Sequence, residues 1–248
     1  MNDPFRIDGQ RALVTGANTG IGQAVALGLA ERGAHVIAAG RSSCEETVAM
    51  ITGAGGSAEA FTLDLSDPKH AAEHLCDAGQ LDILVNNAGI IRRADAIDYS
   101  ESDWDDVVDT NLKAAFLLSQ AFARDAIARG HGGRIVNIAS LLSFQGGIRV
   151  PAYTASKHGI AGLTKALANE WAAKGITVNA VAPGYIATNN TTALREDPKR
   201  AAEILGRIPA GRWGEPSDIA GAVAFLCTPA AAYITGAVLN VDGGWLAR

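Results

Sequence analysis

Tyr153 and Lys157 stand four positions apart in the run Tyr153-Thr154-Ala155-Ser156-Lys157, which opens a helical pattern containing Ile160 and Leu163. Residues i and i+4 share one helix face, so the phenol and the ammonium are neighbours. A free phenol ionises near pH 10, too high for a base at neutral pH. Lowering it by about three pH units takes roughly 4 kcal/mol in favour of the phenolate. An ammonium about 4 Å away supplies about that much at an effective dielectric near 20. An oxidised nicotinamide beside the pair would add a second positive charge, and the two residues would then form an acid–base unit. Without other signals, a solvated surface pair at helical spacing reads the same way.

Ser140 follows the β-branched run Arg134–Ile138, at the strand end where ligand-facing residues of an α/β sheet belong. Its hydroxyl can hold a substrate oxygen against Tyr153. Ser143 is a rival in the same polar loop, and spacing does not choose between them. Asn111 falls on or near the apolar face of a helix with Val107, Val108, Leu112, Ala115 and Phe116. A buried amide needs partners there. It is either a satisfied core asparagine or a water-holding member of a proton relay with Lys157.

A second signal lies in Thr15-Gly16-Ala17-Asn18-Thr19-Gly20-Ile21-Gly22. Glycines between a strand and a helix let the backbone turn tightly and approach a ligand closely. The helix N-terminus beyond offers free N–H groups and partial positive charge to a pyrophosphate. The spacing is Gly-x-x-x-Gly-x-Gly rather than the common Gly-x-Gly-x-x-Gly, and tight helix–strand packing alone would also call for glycine. At the end of the second strand stands Gly40-Arg41-Ser42, with no carboxylate to meet an NAD ribose. Arg41 suits the 2′-phosphate of NADP, or is simply a solvated strand-end arginine. Asp64 and Leu65 after the third strand are expected at the adenine. Asn86, Asn87, Ala88 and Gly89 after the fourth set small residues beside the cleft.

The elements that must position these groups are short apolar runs alternating with helical patterns. The runs are Ala12–Thr15, His35–Ala39, Ala58–Leu63, Ile83–Asn86, Arg134–Ile138, Ile176–Val181 and Ala237–Val241. Each is largely apolar on both faces, as buried parallel strands are. Ile21, Val25 and Leu29 mark one helix, and Ile160, Leu163, Leu167 and Trp171 another. The fold expected is α/β, one domain over residues 1–248 with a seven-stranded parallel sheet and helices on both faces. Residues 8–140 form the cofactor half, and residues 140–248 carry the catalytic and substrate elements. An eight-stranded barrel is the competitor, but it needs eight similar units.

Composition narrows the function. The 248 residues carry 21 basic and 26 acidic side chains, a net charge of −5, which argues against a nucleic-acid partner. No apolar stretch reaches the length of a membrane span, and the N-terminal residues do not read as a secretory signal. Three cysteines, Cys44, Cys76 and Cys227, without close spacing point to a reducing cytoplasm. His70 and His74 have a metal-compatible spacing but no third ligand nearby, so no metal is expected. His158 is expected on a helix surface, and no nucleophile-elbow sequence supports hydrolysis.

In order and spacing, the Gly16–Gly22 turn, Asn86–Gly89, Asn111, Ser140, Tyr153 with Lys157, and Pro183-Gly184 resemble the short-chain dehydrogenase/reductase family over essentially the whole chain. The resemblance implies a Rossmann fold and hydride transfer to or from NAD(P). It makes Tyr153 the general acid/base, Lys157 its modulator and a ligand of the nicotinamide ribose, and Asn111 the relay residue. It selects Ser140, thirteen residues before the tyrosine, to position the substrate oxygen. It sets Pro183, Gly184, Ile186 and Thr188 at the nicotinamide end, and implies a homotetramer with the tyrosine-bearing helix and last strand at interfaces.

Segments 90–93, 143–151, 187–191, 207–213 and 243–248 resemble one branch acting on keto and hydroxy sugar acids. That branch generally uses NAD, whereas Arg41 favours NADP. A carboxylate substrate wants a guanidinium, and Arg92, Arg93 and Arg149 lie in these segments. Gln145, Asn189 and Asn190 offer amides to hydroxyls. The alternatives are a reductase of another carbonyl, such as a 3-oxoacyl thioester, and a nucleotide-binding sensor without turnover.

Overall fold

The computed structural model describes residues 3–247. Met1, Asn2 and Arg248, the last residue of the 243–248 segment, lie outside the described residues. Seven strands form one sheet: β1 Arg11–Thr15, β2 His35–Gly40, β3 Ser57–Thr62, β4 Ile83–Asn86, β5 Gly133–Ile138, β6 Ile176–Pro183 and β7 Val238–Val241. Their order is β3-β2-β1-β4-β5-β6-β7, and every pairing is parallel. Leu13 lies opposite Ile37 on one side and Leu84 on the other, which fixes the central register. The chain moves outward in one direction from β1 and in the other from β4, so a crevice opens above their carboxyl ends. This open order excludes the barrel.

Helices α1 Gly20–Ala30, α2 Glu45–Gly53 and α9 Pro216–Cys227 cover one face. Helices α3 Pro68–His74, α5 Ala114–Ala128 and α6 Pro151–Trp171 cover the other. Alternation along the strands divides the core between them. Val14 and Val36 join Val25, Leu29, Ile219 and Val223 on the first face. Leu13, Ile37 and Leu84 join Leu118, Phe122, Leu167 and Trp171 on the second. Fully burying each such side chain contributes about 1.5–3 kcal/mol, so the crevice rests on a stiff base. Among the described residues no helix is long and apolar enough to cross a membrane.

Three expectations are corrected. β3 is an edge strand with Ser57, Glu59, Ala60 and Thr62 exposed, not a buried strand. With a neighbour on one side only, it joins polar groups across the edge: His35 Nδ1 meets Ser57 Oγ at 2.7 Å, and Arg11 pairs with Glu59 at 2.9 Å. β7, the other edge, leaves Leu239 and Asn240 exposed. The helix expected through Asn111 is not uniform. After α4 Glu101–Val108 it widens into a π-helical turn, Asp109–Lys113, before α5. Short helices α7 Thr192–Glu196 and α8 Pro198–Leu205 stand beside the crevice.

Candidate active site

The crevice is a cleft of about 940 Å³ running from Arg41 past the turn after β1 to Trp245. The turn demands glycine. Gly16 and Gly20 have φ of 65° and 59°, and a Cβ on Gly22 would stand 2.1 Å from the Gly16 carbonyl oxygen. Thr19 precedes α1 without capping it, and the first turn carries no acid. The N–H groups and dipole of α1 therefore face the cleft available to an anion. The Thr15 hydroxyl accepts the N–H groups of Asn87 and Ala88, both at 3.0 Å, and Asn87 Nδ2 donates to the Thr15 carbonyl at 2.8 Å. These bonds clip the loop after β4 to the turn after β1. Gly16, Asn18, Thr19, Gly20, Ile21, Gly22, Ala88 and Gly89 all line the cleft.

Asn86 does not line it. Its side chain turns under the sheet and donates to Asn137 Oδ1 at 2.9 Å and Ser119 Oγ at 3.0 Å. The next residue, Asn87, faces the cleft, because successive strand side chains alternate. At the far end Arg41, Asp64 and Leu65 line one pocket. The Ser66 N–H donates to Asp64 at 2.9 Å and holds that carboxyl below its ordinary range, against partial burial; the charge of Arg41 adds to the effect. These walls, glycine turn and free helix end fit a dinucleotide: α1 would take the pyrophosphate, Asp64 and Leu65 the adenine end, and Lys157 the inner ribose.

Ser140, Tyr153 and Lys157 meet at the centre of the cleft. Lys157 is 4% exposed, its Nζ donates to the Ile138 carbonyl at 2.6 Å, and it lies 5.6 Å from the Tyr153 ring centroid. Burial pushes its ammonium down to about 8. Burial pushes the Tyr153 phenol up, while the Ser140 hydroxyl and the charge of Arg93 pull it down. Desolvation thus works against the charged form of both groups, which leaves the positive charge of an oxidised nicotinamide as the further contribution that the expected acid–base unit calls for. Ser143 is turned away, donating to the Lys157 carbonyl at 2.6 Å, which leaves Ser140 as the cleft serine. Asn111 lies beneath the site. Its amide accepts the Ile90 N–H at 2.8 Å and donates to the Ile90 carbonyl at 2.9 Å and Ser156 Oγ at 3.3 Å.

At the substrate end, Pro183, Gly184, Ile186, Thr188, Gln145, Asn189 and Arg93 line the wall. Arg149 does not. It is exposed, has a φ of 65°, and pairs with Asp95 at 2.9 Å outside the cleft. Arg92 is held by Asp103 and Asp106. Among the wall residues that escaped sequence reasoning are Tyr185, Arg207 and Trp245. Segments 207–213 and 243–248 carried the signal, but nothing in their spacing places them together. His74 stacks on Phe61 at 5.0 Å and His158 meets its own helix at Thr154, so neither reaches the cleft.

Residues 16–246 match a family model described as enoyl-(acyl carrier protein) reductase. The chain is 54% identical over 248 residues to 2-dehydro-3-deoxy-D-gluconate 5-dehydrogenase of Dickeya dadantii, covering 98% of each. It is 54% identical to the enzyme of that name from Bacillus subtilis, covering 100% of this chain and 99% of that one. It superposes with a TM-score of 0.97 on a protein from Agrobacterium tumefaciens assigned as a 2-deoxy-D-gluconate 3-dehydrogenase with bound NADP, 64% identical over the whole of both chains.

Proposed function

This chain belongs to the short-chain dehydrogenase/reductase family, and within it we propose an NADP-preferring dehydrogenase of a sugar acid, interconverting a secondary alcohol and a ketone as 2-dehydro-3-deoxy-D-gluconate 5-dehydrogenase does. The observation that carries this reading is the Tyr153 phenol, set beside the Ser140 hydroxyl and the buried Lys157 in the cleft that begins at the glycine turn. The bound dinucleotide supplies the hydride acceptor or donor. In oxidation Ser140 holds the substrate hydroxyl and the Tyr153 oxygen takes its proton. The carbon–hydrogen bond breaks with its electron pair leaving the carbon, and the carbonyl forms. In reduction the phenol returns that proton. Lys157 favours the phenolate while it remains charged, and Asn111 fixes the loop after β4 and the tyrosine-bearing helix. Arg41, with no carboxylate at the end of β2, supports NADP, as does the NADP bound in the Agrobacterium relative.

A 3-oxoacyl thioester is the second reading, favoured by 43% identity to the 3-oxoacyl-[acyl-carrier-protein] reductases of Vibrio cholerae and Escherichia coli. Steady-state kinetics with 2-dehydro-3-deoxygluconate, its 5-keto partner and a 3-oxoacyl thioester decide the matter. We expect turnover of the sugar acids with at least tenfold preference for NADP, about 1.4 kcal/mol of discrimination, narrowed by Arg41→Ala. Tyr153→Phe should lose turnover yet bind NADP. Thioester turnover alone, or an active Tyr153→Phe, overturns the proposal. We place the enzyme in the cytoplasm as a homotetramer; the free thiols of Cys44, Cys76 and Cys227 support the reducing compartment.

A further inference from the structure

Two segments far apart in the chain meet at the substrate end. Trp245 is 4% exposed; its ring packs 4.8 Å from that of Tyr185, and its Nε1 donates to Gln145 Oε1 at 3.4 Å. The Asp242 carboxylate accepts the N–H groups of Gly244 and Leu246 and holds the turn that presents the ring. Gly243 and Gly244 have φ of 64° and 89°, and a Cβ on either would press Ile208 or Pro209. The Ala210 N–H closes the contact on the Gly243 carbonyl at 3.0 Å. The 207–210 loop is thereby locked against the indole, and the Arg207 guanidinium lies 4.0 Å over the indole ring.

A stacked guanidinium keeps its edge N–H groups free for a planar anion. Among the described residues Arg207 meets no carboxylate and its side chain donates no hydrogen bond, though it lines the cleft. Arg92 and Arg200, also on that wall, are already paired with Asp103, Asp106 and Glu203. Arg93 is free of carboxylates too, but its charge bears on the Tyr153 phenol, so it stands at the reacting end. In a six-carbon acid oxidised at carbon five, the carboxylate lies four bonds from the reacting carbon, on the order of 5 Å at ordinary bond lengths. The acid end therefore needs a cation away from the phenol.

Resting on the sugar-acid reading, we propose that Arg207, stacked on Trp245, takes the substrate carboxylate and sets the preference for acids over neutral polyols. The test is calorimetric titration of the NADP-loaded protein with D-gluconate and with neutral D-glucitol, which report binding independently of turnover. Arg207 is exposed, so Arg207→Met spares the core. We expect that variant to bind gluconate at least tenfold more weakly, with glucitol and NADP unchanged, and Arg207→Lys to recover part of the loss through its point charge. Equal gluconate affinity in wild type and Arg207→Met, or an equal loss for glucitol, overturns the assignment. Arg207-dependent gluconate binding by a protein that turns over no sugar acid retires the dehydrogenase reading and keeps Arg207. A wild-type complex that does not bind gluconate overturns both.

Discussion

Lys157 shows how a single residue ties stability to chemistry. Its ammonium is buried, bonded to the Ile138 carbonyl, and pushed down to about 8. An unfolded lysine ionises near pH 10.4. Above about 8 the folded chain has released a proton that the unfolded chain still holds, so stability rises with pH through that window. Below it, the full desolvation cost of the charge is present. Between about pH 8 and 9.5, below the range of the raised Tyr153 phenol, wild type should gain about 1.5 kcal/mol relative to Lys157→Met. Urea unfolding without added nucleotide reads this directly; a pH-independent difference would refute the buried ammonium. The Tyr153–Lys157 pair was legible from its i,i+4 spacing. The choice of Ser140 over Ser143 was not, because it depends on which hydroxyl reaches the α6 backbone. Arg149 misled for the same reason: its sequence neighbourhood is that of the cleft, but its backbone turns it toward Asp95.

At the scale of elements, the wide turn Asp109–Lys113 does what a regular helix would not. One extra residue per turn shifts the face that the helix presents, and such bulges concentrate at functional sites. Here it sets the Asn111 amide opposite both backbone groups of Ile90. Asn111→Asp keeps the shape and the acceptor but loses the donor, so the Ile90 carbonyl faces a carboxylate. We expect a loss of about 2 kcal/mol, the cost of leaving a partly buried carbonyl unsatisfied with an added repulsion. The urea midpoint should fall, with nucleotide affinity falling alongside as the loop carrying Ala88 and Gly89 loosens. An unchanged midpoint would mean that the amide is not the tie. Apolar periodicity revealed α1, α6 and the central strands because burial dictates those patterns. It did not reveal the π-turn, because Leu112 and Ala115 keep a helical spacing with or without the insertion. It overstated β3, where an edge position lets Glu59 alternate with alanine.

The parallel layering of the whole molecule was readable from apolar runs alternating with helical patterns, because each βα unit returns the chain to the same sheet. The contact between segments 207–210 and 243–245 was not readable, since chain separation carries no signal for a pairing made by loop packing. The outer surface poses the same kind of question. β7 ends the sheet with Leu239 39% exposed and an open row of backbone groups, and α4 leaves Trp104 41% exposed on another face. An uncapped apolar edge invites pairing with a second copy, and a two-fold contact at each of two separate faces closes into a tetramer. Light scattering after size exclusion should give a mass four times that of the chain. Leu239→Lys puts a charge into the β7 contact only, so it should halve that mass while leaving the circular dichroism spectrum unchanged. A monomeric wild type would refute the assembly. A tetrameric Leu239→Lys would move the interface away from β7, whose edge must then be covered by something other than its own copy.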